Sequence, residues 1–204
     1  MTYRIEKNSI GEIAVPAEHY WGAQTERSRQ FFAIGREKMP DEVIRALVLI
    51  KAAAAEVNCE LGRLSAERAQ KITQVCAEIL AGQWPEEFPL SVWQTGSGTQ
   101  TNMNVNEVIA GRGNELAGER LLHPNDHVNM AQSSNDVFPS AMHIAAATSV
   151  QTELLPALEE LAATFSRLEA ENAGIVKSGR THLQDATPIA FAQEISAWRV
   201  MLEK

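Results

Sequence analysis

The chain has 204 residues, 45% of them hydrophobic and 22% charged, an ordinary globular balance long enough for one or two domains with a sizeable core. Its formal net charge of -8, with no cluster of Lys and Arg, excludes the basic footprint of a nucleic-acid binder; an anionic substrate would have to be drawn in by local groups against the overall field. Two cysteines, Cys59 and Cys76, form no C-x-x-C, no signal-peptide pattern opens the chain, and no apolar run nears the ~18 residues of a membrane helix, so a reduced, cytoplasmic protein without membrane contact is expected.

Along the first forty residues Gly11, Pro16, Gly22, Gly35 and Pro40 recur too often for a long helix. The only strand signals are Tyr3 to Glu6 and Glu12 to Val15, and the patch from Tyr20 to Ser28 has aromatics suited to packing on the domain body. Helical spacing of Val43, Leu47, Ile50, Ala54, Val57 and Leu61 predicts a helix from Asp41, with Asp41 as its cap and Gly62 as its stop. A second helix is predicted from Ser65 to Ala81 on the face of Ile72, Val75, Cys76, Ile79 and Leu80, forming a hairpin with the first. After a loop broken by Pro85 and Pro89, a third runs from about Asn102 to Ala117, weakened by Gly111 and Gly113. From Ser134 to Asn172 alanine becomes dense and helical periodicity persists, with Pro156 expected to kink or divide the run. Thr187 and Pro188 suggest the cap and first residue of a last helix, whose apolar stripe reaches Lys204 without a break. The fold class is mainly α, with an amino-terminal helical domain at 1–133 and, from 134 to 204, the start of a long central helical bundle. Its unpartnered apolar faces imply further chain or tight oligomerisation.

Four polar segments lie beside the predicted helices, where a rigid scaffold usually carries its site. In Gly96–Asn102, glycines allow close backbone approach, Ser97, Thr99 and Thr101 offer hydroxyls, and the helix that follows presents free N–H groups suited to a carboxylate; a polar capping loop is the plainer reading, and no Gly-Lys-Ser/Thr marks a nucleotide loop. Around His123-Pro124-Asn125-Asp126-His127 a polar turn is favoured over a metal site, with an anion pocket of Arg120, His123 and Asn125 as a third reading. Gln132-Ser133-Ser134-Asn135-Asp136 opens the longest helical run; capping needs one of these groups and leaves others to hold a carboxylate. In Gly179–Ala186, Thr181, Gln184 and Asp185 crowd His182, and a neighbouring carboxylate would suit it to general acid/base work; a lone histidine is more often structural.

Modest singly, these segments in this order resemble the fumarase/aspartase superfamily of lyases over essentially the whole chain. Arg4-Ile5-Glu6, Tyr20–Ser28, Gly96–Asn106, His123–Asn129, Gln132–Pro139 and Thr181–Ala186 carry the likeness, and the Tyr20–Ser28 and Asn135–His143 stretches are closer to class II fumarase than to aspartase. The resemblance implies reversible hydration of fumarate to L-malate in the tricarboxylic acid cycle, without metal or organic cofactor, by a homotetramer whose sites each draw on three subunits. It implies Ser97, Gly98 and Thr99 as substrate ligands, Ser133, Ser134 and Asn135 as ligands from another subunit, and Thr181 with His182, the latter as acid/base, from a third region. Arg120, His123, Pro124, Asn125 and Asp126 would form a second, non-catalytic dicarboxylate site. The family's later signature, Gly-Ser-Ser-x-Met-x-x-Lys-x-Asn, has no match here. That absence implies an incomplete chain, inactive alone; another lyase such as an aspartase, or a non-catalytic fragment that binds dicarboxylates or associates with helices, are the alternatives.

Overall fold

The computed structural model describes residues 2–204, and they are mainly α. They divide into two compact units, one reaching Ala146 and the other running from Ala147 to Lys204. The division falls inside the helical run that begins at Ser134.

The first unit opens with an antiparallel hairpin of β1 (Tyr3–Asn8) and β2 (Gly11–Pro16), in register from Tyr3 opposite Pro16 to Asn8 opposite Gly11. Its burial alternates along β1, as expected for a ribbon with one covered face. Arg4 anchors it by donating to the carbonyls of Pro16, His19 and Trp21. The first forty residues also hold a helix, α1 (Ala23–Phe31), that Gly22 and Gly35 conceal in the sequence. Its first turn is held by Glu107: the carboxylate accepts from the backbone N–H groups of Gly22, Gln24 and Thr25 and from the Thr25 hydroxyl. A capping acceptor borrowed from another helix leaves no local signature. Trp21 is buried beside it, as expected of that patch.

Helices α2 (Asp41–Glu60) and α3 (Ala66–Leu80) pack together as the predicted hairpin. Ser65 caps α3 by accepting from Arg68 N at 3.4 Å, whereas Asp41 makes no cap; Pro40 precedes α2 in the capping position and Asp41 is its first residue. The buried face of α2 is also rotated from the expected stripe. Ile44, Leu47, Val48, Lys51, Ala55 and Asn58 are buried, while Val57 and Leu61 are exposed. An alanine-rich helix carries apolar residues on several faces, and tertiary packing chooses among them.

Helix α4 (Thr99–Ala117) runs through this core, with Val105, Val108 and Ile109 fully buried. It starts three residues before the expected Asn102, directly after Gly98 at φ 67°. Gly111 and Gly113 do not weaken it but admit neighbours: a Cβ at Gly111 would meet Tyr20 O at 2.4 Å, and one at Gly113 would meet Leu122 Cδ1 at 2.4 Å. A single π-type turn, Pro124–Val128, leads to α5 (Ser134–Ser149), whose Val137, Ala141 and Ala145 close the core.

In the second unit, α6 (Leu155–Glu171) follows a π-type turn at Val150–Leu154, with Pro156 in its first helical turn, so the proline does divide the run. The next segment corrects the sequence expectation. Thr187 and Pro188 do not start a helix; they lie in β4 (Gln184–Ala190), paired antiparallel with β3 (Val176–Thr181), and Pro188 stands opposite Ser178. A two-stranded ribbon has two free edges, where a residue without an N–H is tolerated. Helix α7 (Phe191–Leu202) then packs on α6, with Phe165 and Trp198 at 6.0 Å between ring centroids. Only Ile195 among this unit's hydrophobic residues is buried, and Leu154, Leu155, Leu161, Trp198, Val200 and Met201 remain exposed.

Candidate functional site

Two of the four polar segments, Gly96–Asn102 and Gln132–Asp136, meet in the first unit of this one chain, where the resemblance implies ligands from two subunits. Phe138 of α5 lies against Gly98, so closely that a Cβ there would be 2.2 Å from its ring. This contact brings the N-terminus of α4 beside that of α5. Asn102, fully buried, joins them by donating through Nδ2 to Ser134 Oγ at 2.8 Å and to Asn129 Oδ1 at 3.2 Å. Two positive helix ends therefore converge on one region, an arrangement suited to a carboxylate, with Gln94 and Ser133 already taking the N–H groups of Thr101 and Asn135.

The hydroxyls around it are mostly engaged within their own segments, Thr95 donating to Gln100 Oε1. Thr101 is tied to Gln94, whose Oε1 accepts from its N at 3.1 Å and its Oγ1 at 2.9 Å. Thr95, Ser97 and Thr99 line up outside, with Ser97 Oγ 3.3 Å from both Thr95 Oγ1 and Thr99 Oγ1. Ser133 is the capping residue of α5, its Oγ accepting from Asn135 N at 3.3 Å. Ser134 is held by Asn102, and Asn135 is exposed with no side-chain hydrogen bond among the described residues.

Gly98 carries a direct test. With φ at 67° and the Phe138 ring where a Cβ would go, Gly98→Ala is strained in backbone and packing together. A stability loss of ~2–4 kcal/mol is expected. Urea unfolding measures it, and a variant as stable as the parent would mean that Phe138 does not fix this loop.

Behind the two helix ends lies a residue that sequence reasoning missed. Lys51 is fully buried, and its Nζ donates at 2.9 Å to both Asn129 Oδ1 and Gln132 Oε1. Burial pulls its ammonium down to about 7. The available signal was its spacing, since it falls in line with Leu47, Val48 and Ala55 on the buried face of α2.

Arg120, His123, Pro124 and Asn125 line a separate cavity of about 790 Å³, together with Arg4, His19 and other residues of the first unit. His123 sits at the start of the π-type turn, where its Nδ1 lies 3.2 Å from both Asp126 N and Asp126 Oδ2. His127 turns its Nδ1 to accept from His123 N at 2.8 Å. Burial and the nearby Arg68 lower the His127 pKa. The polar-turn reading describes the local geometry: His123 Nδ1 accepts from Asp126 N, and the exposed Asp126 does not line the cavity.

His182 and Thr181 belong to the second unit. They lie not in a loop between helices but at the tip of the β3–β4 hairpin. His182 and Leu183, at φ 49° and 63°, form the two-residue turn between the paired Thr181 and Gln184. Positive φ at both central residues is the primed geometry that matches strand twist. Asp185 faces Arg180 at 3.4 Å and Ser178 at 3.3 Å, so the carboxylate expected beside His182 is engaged elsewhere. His182 is exposed and makes no hydrogen bond among the described residues.

A lyase family model matches residues 11–204 of the chain. The chain belongs to that family. Within it, the chain is 60% identical over 205 residues to a class II fumarate hydratase of Pseudomonas aeruginosa, covering 98% of this chain and 44% of that protein. It is 53% identical over 208 residues to the class II fumarate hydratase of Bacillus cereus, covering 100% and 45% respectively. Among solved structures, the class II fumarase of Schistosoma mansoni superposes with a TM-score of 0.95 at 44% identity, over 99% of this chain and 44% of that one. A fumarate lyase:delta crystallin from Brucella melitensis gives 0.94 at 39% identity, over 99% of this chain and 48% of that one. This lyase chain therefore spans a little under half the length of the relatives it matches. No helix among its described residues is long and apolar enough to cross a membrane.

Proposed function

We propose that this chain is part of a class II fumarate hydratase, which adds water reversibly to fumarate to give L-malate. The observation that carries this reading is the convergence of the α4 and α5 N-termini at Gly98 and Ser134, joined through Asn102. Proton removal beside a carboxylate creates an intermediate with added negative charge on that carboxylate. Preorganised N–H and O–H donors stabilise the charge without reorganising, and a small uncharged cluster at two helix ends supplies such donors.

In this reading Ser97, Gly98, Thr99, Ser133, Ser134, Asn135 and Thr181 hold substrate, and His182 acts on water as acid/base. Its exposed hairpin tip suits a group that completes its site on another subunit. The exposed apolar side chains of α6 and α7 suit burial in a homotetramer's central bundle, which starts at Ser134 in this assignment. Arg120, His123, Pro124, Asn125 and Asp126 form a second dicarboxylate site beside the 790 Å³ cavity. The chemistry needs neither metal nor organic cofactor, and the protein works in the cytoplasm without nucleic-acid or membrane partners.

Loss of fumarate absorbance tests this directly. The 204-residue chain alone is expected to show no turnover, because nothing in it matches the Gly-Ser-Ser-x-Met-x-x-Lys-x-Asn signature. Joined to the carboxy-terminal remainder of the Pseudomonas aeruginosa relative, it is expected to hydrate fumarate. Robust turnover by the chain alone would make that signature dispensable. Aspartate deamination in place of hydration would move the assignment to aspartase.

A further inference from the structure

We infer that Lys51 and Asn102 are positioning residues that help fix the direction of a part-buried hydrogen-bond relay and so leave the Ser134 hydroxyl free to donate to a substrate carboxylate. The inference rests on the assignment of Ser134 to substrate binding.

Donor and acceptor inventories set the direction of each bond. Lys51 brings only N–H donors to its two partners, so Asn129 must turn its Oδ1, and Gln132 its Oε1, toward Nζ. The second lone pair of Asn129 Oδ1 then demands a donor, and Asn102 can answer only with Nδ2. That choice sets the Asn102 amide, whose other Nδ2 hydrogen falls on Ser134 Oγ at 2.8 Å. Ser134 is left as an acceptor inward and a donor outward. Asn129 is held the same way round by its Nδ2, which donates to Gln132 O at 3.2 Å, so Lys51 and this carbonyl fix one polarity together; a reversed Asn102 would draw the Ser134 proton inward and away from substrate.

Burial makes this polarity durable. Lys51 and Asn102 are closed to solvent while Asn129, Gln132 and Ser134 are half-buried, so the inner end of the relay is the part shielded from competing water. No carboxylate pairs with Lys51 among the described residues. A neutral amine keeps two N–H donors for Asn129 and Gln132 but gains a lone pair, so the donor-only constraint belongs to the ammonium form. Gln132 reinforces the segment by donating through Nε2 to Val128 O and Met130 O, which holds the approach to α5 in one shape.

The test is a double-mutant cycle on fumarate hydration in the joined protein. Ser134→Ala and Lys51→Met are each expected to raise KM about tenfold, the size of one lost hydrogen bond to a charged group. The double variant is expected to be no worse than Ser134→Ala alone, because Lys51 acts through Ser134. A merely structural Lys51 would lower the melting temperature and leave KM unchanged, and that result, or a double variant whose KM rises by the product of the single effects, overturns the relay. Where Lys51→Met fails to fold, Asn102→Leu carries the same cycle. Should Ser134→Ala leave KM unaltered, the substrate assignment of Ser134 fails, and the relay is decided by the side-chain amide signals of Asn102 in the 204-residue chain. They shift in Lys51→Met if the relay exists and stay in place if it does not.

Discussion

Replacing His182 by Asn is expected to lower fumarate turnover by about a hundredfold to ten-thousandfold in the joined protein, the usual contribution of a positioned acid/base. The same substitution is expected to leave stability unchanged or slightly improved. His182 and Leu183 occupy a two-residue turn with both φ values positive, a position for which Asn is among the best residues and Leu among the poorest. A solvent-exposed Leu183 there buries nothing that would offset the local strain. Such conflict between residue and backbone gathers at functional sites. Because Asn fits the turn, lost turnover with an unaltered melting temperature would assign the loss to the imidazole itself. Near-normal turnover would remove His182 from the mechanism.

The second large effect is on stability. Between pH 7 and pH 9 the parent protein is expected to gain on the order of 2 kcal/mol relative to Lys51→Met. Burial lowers the Lys51 pKa in the folded state to about 7, against the ordinary 10.5 when unfolded. Below the lower value both states carry the proton and its contribution does not change with pH. Above it the folded protein releases the proton while the unfolded chain keeps it, so the unfolded state binds more protons and stability rises. Cys76, from α3, is the titrating group that faces Lys51, and burial pushes its thiol up to about 12. It acts in the opposite sense above the ordinary thiol value of 9.0, where the unfolded chain ionises and the folded one does not, which is why the comparison stops at pH 9. Urea midpoints of both proteins at the two pH values measure the difference. Parallel behaviour of parent and variant would show that Lys51 keeps an ordinary pKa despite its burial.

The helical hairpin of α2 and α3 was legible because local signals coincide there: Ser65 as a cap, Gly62 as a stop, and Ile72, Val75, Cys76 and Ile79 at helical spacing. The four polar segments stood out for a similar reason, since runs of small polar residues beside apolar helices are visible without a fold. The helix expected at Thr187 shows the limit. Thr-Pro is a sound local start signal, yet pairing of Ser178 with Pro188 across the ribbon prevailed, and cross-strand partners are not encoded next to each other. Helix α1 was hidden because its first turn is held by Glu107, more than eighty residues away in sequence.

The sequence by itself determined the mainly helical class, the lyase resemblance and the polar segments that are candidates for holding a carboxylate. These depend on residue type and short-range spacing, which the chain carries locally. Only the tertiary structure decided which groups meet. It set Phe138 on Gly98, joined Asn102 to Ser134, placed Lys51 behind both and carried His182 to an exposed hairpin tip. Each of these depends on contacts between segments far apart in the chain, where side-chain volume, burial and hydrogen-bond direction choose among faces that periodicity alone leaves equivalent.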